Sequence, residues 1–471
     1  MNTVGTEMSQ PENRPNAFTA FSRKCSELFL SKYFILALFC GACAITAAKK
    51  EVVGVAIYIG IICLALVLCE DIMATTMPFL LLCVFVTSCY DSYDTFIKFA
   101  PVAIPAALCL IFHFVYFRGR LSVGSTFWGL AAVAAALLLG GVGFISPSDY
   151  FRPMTLYYTL FLGIGMVVFY LLFKSQLSTP RKYDVRERLV SYLYVMGVLA
   201  CFAVIFFLSQ NIEHIRTTRT LPYLQASNNL STILLFALPC PFFFVPKNRL
   251  HVIVPVLMYG CMVLSGARSG IILGAVELLI CFIVSAWWDK PRRFTYVCCA
   301  ACLVGLAILG GNAVLRLSVN VSISELISVD EARYKLLQRA KELFPQCPVF
   351  GHGLGYTGNT DLYSPVKGAM EWYHMMIPQV VAGLGIFGSI AYLFQFFLRW
   401  RCAVMALRAD KASGSQSKPV IVTLFLSYIG VLLMSQVNPG LFCPLPYSLM
   451  AVMIFALLDG SDGSKLFGKK S

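Results

Sequence analysis

Residues 375–398 read MMIPQVVAGLGIFGSIAYLFQFFL, twenty-four residues without a charged side chain. At about 1.5 Å per residue that run is long enough to cross roughly 30 Å of hydrocarbon as a helix. The residue before it is His374, which ends the one long polar excursion in the chain, from about 313 to 374. Composition extends the reading to the whole protein. Of 471 residues, 58% are hydrophobic and 13% charged, and the mean hydropathy is +0.76, too little polar surface to coat a soluble globule. Further apolar runs fall at approximately 33–48, 52–69, 72–89, 96–117, 122–146, 154–173, 189–209, 228–245, 250–265, 270–288, 294–312, 418–436 and 440–458. The expected fold is an all-α polytopic membrane protein with about 12–14 transmembrane helices.

The basic residues are not spread evenly. With the N-terminus inside, alternation of the runs puts Arg118 and Arg120, the 174–188 segment, Lys247 and Arg249, the 290–293 turn, the 399–418 segment and 465–470 on one side. The positive-inside rule therefore gives both termini to the cytoplasm and the 313–374 loop to the outside, with Lys49 and Lys50 as the chief exception. A net charge of +14 read this way implies anionic lipid, and no nucleic-acid partner is expected. The domain layout follows: a flexible cytoplasmic tail at 1–30, transmembrane helices over 31–312, the outer loop over 313–374, helices again over 375–458, and a cytoplasmic tail at 459–471. Residues 1–30 have no apolar core of the signal-peptide kind. Most of the eighteen cysteines lie inside apolar runs, where a thiol is a small hydrophobe. Cys347 is alone in the outer loop, so no disulfide is expected within it, and Cys298, Cys299 and Cys302 have no nearby histidine to make a metal site.

Several polar residues stand out against the apolar background. Arg216 and Arg219, with His214, lie in an expected outer loop where basic residues run against the charge rule. Arg268 sits alone in the turn SGARSG between two apolar runs; a guanidinium at such a boundary pairs best with an anion, and its planar fork matches phosphate oxygens. Glu277, further along the same helix, is an intramembrane carboxylate and a candidate partner or proton-path residue. In the outer loop, Ser328 and Glu331 form a capping-box signature, and DEARYKLLQRAKELF reads as a helix stopped by Pro345, with Arg333, Lys335, Arg339 and Lys341 on its charged face. The GHGLG turn at 351–355 is expected to offer backbone amides to an anion. It lacks the Lys-Ser/Thr ending of a P-loop. Asp91 and Asp94 are paired carboxylates in an outer turn, read as solvated or, alternatively, as metal ligands. His374 follows Trp372 and Tyr373 at the membrane boundary, where aromatic residues belong, and imidazole is the side chain suited to proton removal near neutral pH.

The spacing from His374 through Gly385 to Gly388 resembles the motif of the O-antigen ligase and O-antigen polymerase family, in which His plus Asn, Ser or Gln precedes nine residues and Gly-x-x-Gly. Here Met375 replaces the amide or hydroxyl. Arg268 and Ile272 resemble the family's Arg-x-x-x-Leu element, and Asn229, Arg333 and PVFGHGLG follow its layout, the resemblance covering about 225–458. It implies a GT-C-like, all-helical membrane glycosyltransferase of the bacterial cytoplasmic membrane. The implied donor is a glycan on an undecaprenyl-pyrophosphate carrier, and the implied acceptor is lipid A core or a second lipid-linked glycan.

Within that resemblance His374 is the expected general base. Arg268 serves catalysis and, with Arg333, Arg216 and Arg219, binds the pyrophosphate, so that neither metal nor other cofactor is expected. The alternatives are a lipid-linked glycan transporter or flippase, and a metal-dependent polyprenyl-phosphate-sugar glycosyltransferase using Asp91 and Asp94.

Overall fold

The computed structural model describes residues 17–88, 100–117, 121–143, 153–177, 181–222, 224, 226–319, 331–358, 371–413, 418–438 and 446–459. Asp91, Asp94 and Ser328 lie outside these residues. Among the described residues the regular structure is helical throughout, as a chain in hydrocarbon requires, because a helix satisfies its own backbone groups. Helices α1 (Ala17–Phe29) and α2 (Lys32–Ala47) form a pair bent by 58°. Next come α3 (Glu51–Leu68), α4 (Met73–Ser88) and α5 (Ala103–Tyr116). Then α6 (Ser125–Ala136) runs into a π turn at Leu137–Gly141, and α7 (Pro153–Leu160) passes through a second π turn, Phe161–Gly165, into α8 (Met166–Gln176). The middle of the chain forms α9 (Val185–Gln210), the short α10 (Ile212–Thr218), α11 (Ser227–Ala237), α12 (Cys240–Phe244), α13 (Ile253–Ser265), α14 (Arg268–Trp288) and α15 (Arg293–Val319). Last are α16 (Glu331–Leu343), α17 (Met376–Ser413), α18 (Lys418–Met434) and α19 (Pro446–Leu458).

Each apolar run in the sequence coincides with a helical segment. Among the described residues seven helices are long and apolar enough to cross a membrane, six apolar ones are shorter, and α1 with α2 make one further bent span. The bundle is centred on α11, whose residues from Leu230 to Ala237 are all buried between α4, α9, α13, α14 and α18. In contrast, 6% of the Lys290–Gly311 stretch is buried, so α15 faces outward along most of its length.

Two boundaries differ from the sequence reading. Residues 17–29, inside the expected flexible tail, form a helix because Phe18, Phe21, Cys25 and Phe29 recur at three- and four-residue spacing. It is fastened by Arg23 to Glu70 (2.9 Å) and by the Ser26 hydroxyl accepting from the Asp71 N–H (3.2 Å). Helix α15 also continues to Val319, past the expected start of the outer loop at 313.

The last helix is tied to the first half of the chain. The Asp459 carboxylate accepts from the Ser125 N–H and hydroxyl (3.0 and 2.8 Å), the Thr126 N–H and hydroxyl (2.8 and 2.6 Å) and the Tyr170 hydroxyl (2.7 Å). It is an N-cap for α6 supplied from more than three hundred residues away, and it fixes the register of α6 against α17 and α19. Asp459→Ala leaves these buried donors unpaired and should cost about 3 kcal/mol or more. The expected result is a thermal unfolding midpoint in detergent lowered by several degrees; an unchanged midpoint would mean the cap contributes nothing.

Candidate functional site

Helix α17 is broken within its first part. At Gly385 the backbone takes φ 65°, ψ −161°, a region open almost only to glycine, and the carbonyls of Ala382 and Gly383 lose their helical partners. The loop replaces them. The His352 N–H donates to Ala382 O (3.0 Å) and the Gly353 N–H to Gly383 O (2.9 Å), while the N–H groups of Ile386 and Phe387 donate to Pro348 O (2.8 Å) and Val349 O (3.1 Å). The π turn after α6 adds Gly141 O, which accepts from the Leu354 N–H at 2.7 Å. Close approach is what the glycines supply: a Cβ at Gly385 would lie 2.5 Å from Val349 O, and one at Gly351 would lie 2.4 Å from the Gly383 carbonyl carbon.

That stitching corrects one expectation. The Gly351 N–H is also spent, on Cys347 O (3.0 Å), so the amides of residues 351–354 all have backbone acceptors. The GHGLG turn is therefore a fastening and not a cradle for an anion.

The stitched loop delivers residues 371–376 to the start of α17. Glu371, buried, accepts from the Thr357 N–H and hydroxyl, both at 2.8 Å. Trp372 packs edge-on to Tyr158 with ring centres 5.6 Å apart. Tyr373 is fully buried against Leu336, Ala340 and Leu343 of α16, and its N–H donates to Gln379 Oε1 at 2.8 Å. Burial drives its phenol far above the usual range, so the group is a neutral hydroxyl. Two residues past His374, the Met376 N–H donates to Ser435 O (2.8 Å) at the end of α18. His374 is thus held between two anchored neighbours. It is half-buried and has φ 52°, one of three positive-φ residues other than glycine among those described, and such a conformation costs on the order of 1–3 kcal/mol unless its surroundings impose it.

The other candidates occupy three different positions. Arg268 is the first residue of α14 and is exposed, and the N-cap, Ala267, supplies no side-chain cap, so a cationic fork is carried at a helix N-terminus, a combination suited to phosphate. The carboxylate of Glu277 lies against Gly430 of α18, where a Cβ would be 2.4 Å from Oε1. Counting from that contact at about 1.5 Å per residue puts Arg268 about 14 Å and Ser435 about 8 Å away, toward the same end of the bundle. This is the end where the Tyr447 hydroxyl donates to Asn229 O (2.7 Å), opposite the Asp459 cap. Arg333 shares the packed face of α16 one turn before the buried Leu336, and its Nε is buried with no hydrogen-bond partner among the described residues. Arg216 and Arg219 are on or next to α10, which buries none of its residues, and they sit at the exposed rim. Glu277 is not Arg268's partner. It is buried about 14 Å further along α14, and neither carboxylate oxygen has a partner among the described residues.

Sequence reading passed over Glu371 and Gln379, which bond to Thr357 and to the Tyr373 N–H, and Gln436 and Asn438 at the end of α18, the first of which reaches the Met376 sulfur. Isolated amides within apolar runs carry no periodic signal, so only packing reveals them.

Residues 253–393 match the family model described as O-antigen ligase. The matched segment resembles that family and holds Arg268, Arg333, His374 and the broken part of α17. No curated protein matches the chain. The match and the fold together support a multi-pass membrane protein similar to the glycan-transferring ligases and polymerases.

Gly385→Ala tests the stitching. A methyl group there meets Val349 O and forbids the observed backbone, so the loop should detach from α17, with trypsin cleaving the purified variant in the 333–367 region at least several-fold faster than wild type. Equal cleavage rates would show that the glycine is not needed for docking.

Proposed function

We propose that the chain moves a glycan from an undecaprenyl-pyrophosphate carrier to a sugar hydroxyl at the outer face of the bacterial cytoplasmic membrane. The observation that carries this reading is the family match over 253–393, which encloses His374, Arg268 and Arg333. Both termini are assigned to the cytoplasm by the positive-inside rule. The reading makes the end bearing Arg268 and His374 the outer one.

The chemistry is an inverting displacement. His374 takes the proton of the acceptor hydroxyl, the oxygen attacks the anomeric carbon, and the bond from that carbon to the carrier's phosphate oxygen breaks with its electron pair passing to the pyrophosphate. A positioned base contributes about 10²- to 10⁴-fold. Charge grows on the leaving pyrophosphate, and in this reading the Arg268 fork, the N-terminal amides of α14 and Arg333 neutralise it. Arg216 and Arg219, at the rim, draw in the anionic headgroup over a longer range. In this scheme guanidinium groups do the work a divalent cation does in other glycosyl transfers. A transporter would also use an interrupted helix, but the carbonyls freed at Gly385 are already bonded by the loop and are not open to a passing substrate.

His374→Ala should lower glycan transfer by at least about a hundredfold while carrier-linked donor accumulates; near-wild-type transfer would remove the base assignment. Arg268→Lys keeps the charge and loses the fork, and a loss of about tenfold or more is expected in the same assay. EDTA should leave transfer by the purified protein unchanged, whereas its abolition, restored by added divalent metal, would favour metal-dependent chemistry.

A further inference from the structure

Helix α1 gives one face to the protein and leaves two flanks exposed. Phe18, Ser22, Ser26 and Phe29, at four- and three-residue spacing, turn inward, the last three of them buried. The Arg23 bond to Glu70 (2.9 Å) and the Ser26 bond to the Asp71 N–H (3.2 Å) fix the roll of the helix about its axis. One flank then carries Phe21 and Leu28, which are 52% and 58% exposed. The opposite flank carries Arg23 and Glu27, and Lys24, one turn from both Phe21 and Leu28, stands on the border between the two. An apolar flank, a charged flank and a lysine at their border are the pattern of a helix lying in the plane of a membrane surface.

The level of α1 is set as well. It lies where α3 and α5 end and α2 begins: Glu70 and Asp71 follow α3, and the Phe18 ring meets Tyr116 edge-on (5.0 Å) and stacks on Phe117 (6.3 Å) at the end of α5. Across the 58° bend, Tyr33 is 73% exposed with the Lys32 ammonium 5.1 Å from its ring centre. Exposed tyrosine and lysine at the start of an apolar helix belong to the headgroup layer. Asp71 accepts from Arg181 Nε (3.0 Å) just past α8, so this is the end of the bundle with the Asp459 cap. We propose that α1 is a membrane-surface anchor: Phe21 and Leu28 enter the upper acyl layer of the adjoining leaflet, and Lys24 and Lys32 take the phosphates of anionic lipids. Charge selects the lipid, because both residues at the border are cationic and the acidic Glu27 is turned to the far flank. The proposal is independent of the glycan-transfer reading.

The test uses the full-length protein in nanodiscs, with a fluorescent amino acid encoded in place of Phe21 or, separately, of Glu27. Both positions are exposed, so the probe displaces nothing buried. A nitroxide on the upper acyl chain of phosphatidylcholine should quench the probe at 21 at least about twofold more than the probe at 27, and aqueous iodide should do the reverse. Equal iodide quenching at the two positions would put both flanks in water and overturn the proposal. A probe at 21 that neither quencher reaches would show that protein covers the flank, and would overturn it equally. For the headgroups, the nitroxide is moved to phosphatidylglycerol in a mixed bilayer of the two lipids. Quenching at 21 should then rise about twofold over the phosphatidylcholine label at equal content, and the rise should vanish when Lys24→Gln is combined with Lys32→Gln. No rise without these substitutions, or a rise that survives them, would remove the anionic-lipid assignment.

Discussion

A backbone amide or carbonyl inside a membrane protein must find a partner within the protein, because hydrocarbon offers none. The break in α17 creates this demand in concentrated form, and the segment 348–354 answers it with bonds across the break to Ala382, Gly383, Ile386 and Phe387. Loop and helix are therefore one unit. Without the break the loop would have no acceptors for His352 and Gly353, and without the loop the helix could not afford the break.

From that unit the rest of the site takes its position. The π turn after α6 releases Gly141 O to the Leu354 N–H, so a second helix contributes an irregularity at the same place. Residues 371–376 then enter α17 with anchors on both sides of His374, on Gln379 and on Ser435, and this double hold lets a histidine keep a backbone conformation that few residues other than glycine adopt. Arg268 comes to the same end of the bundle by a separate route, through the packing of α14 on α18 at Glu277 and Gly430. Imidazole and guanidinium are thus presented by elements whose relative placement is fixed deep in the bundle, which suits the roles proposed for them at opposite ends of one reacting bond.

How far the sequence could foretell this depends on the kind of signal. Apolar runs report membrane helices directly, and the run 375–398 and its fellows all became helices. The helix at 331–343 was readable from its periodicity and from Pro345. The His374, Gly385 and Gly388 spacing pointed to the family, but not to the physical reason for a glycine at 385, since that depends on the approach of Val349 from a loop about thirty-six residues earlier. The GHGLG turn misled for the same reason: glycine-rich backbone looks available until the acceptors that consume its amides are seen. Residues 17–29 misled differently, their apolar stripe being diluted by the polar residues around it. Gln379, Gln436 and Asn438 were silent in the sequence because an amide's meaning lies in which of its two ends is already paired.

Amide hydrogen exchange of residues 350–356 in the membrane-embedded protein tests the central claim most directly. If the loop is bonded into the broken helix, the amides of His352, Gly353 and Leu354 should exchange as slowly as those of the buried helix α11, over hours. Exchange within seconds, at the rate of a free outer loop, would contradict the account and separate the loop from α17.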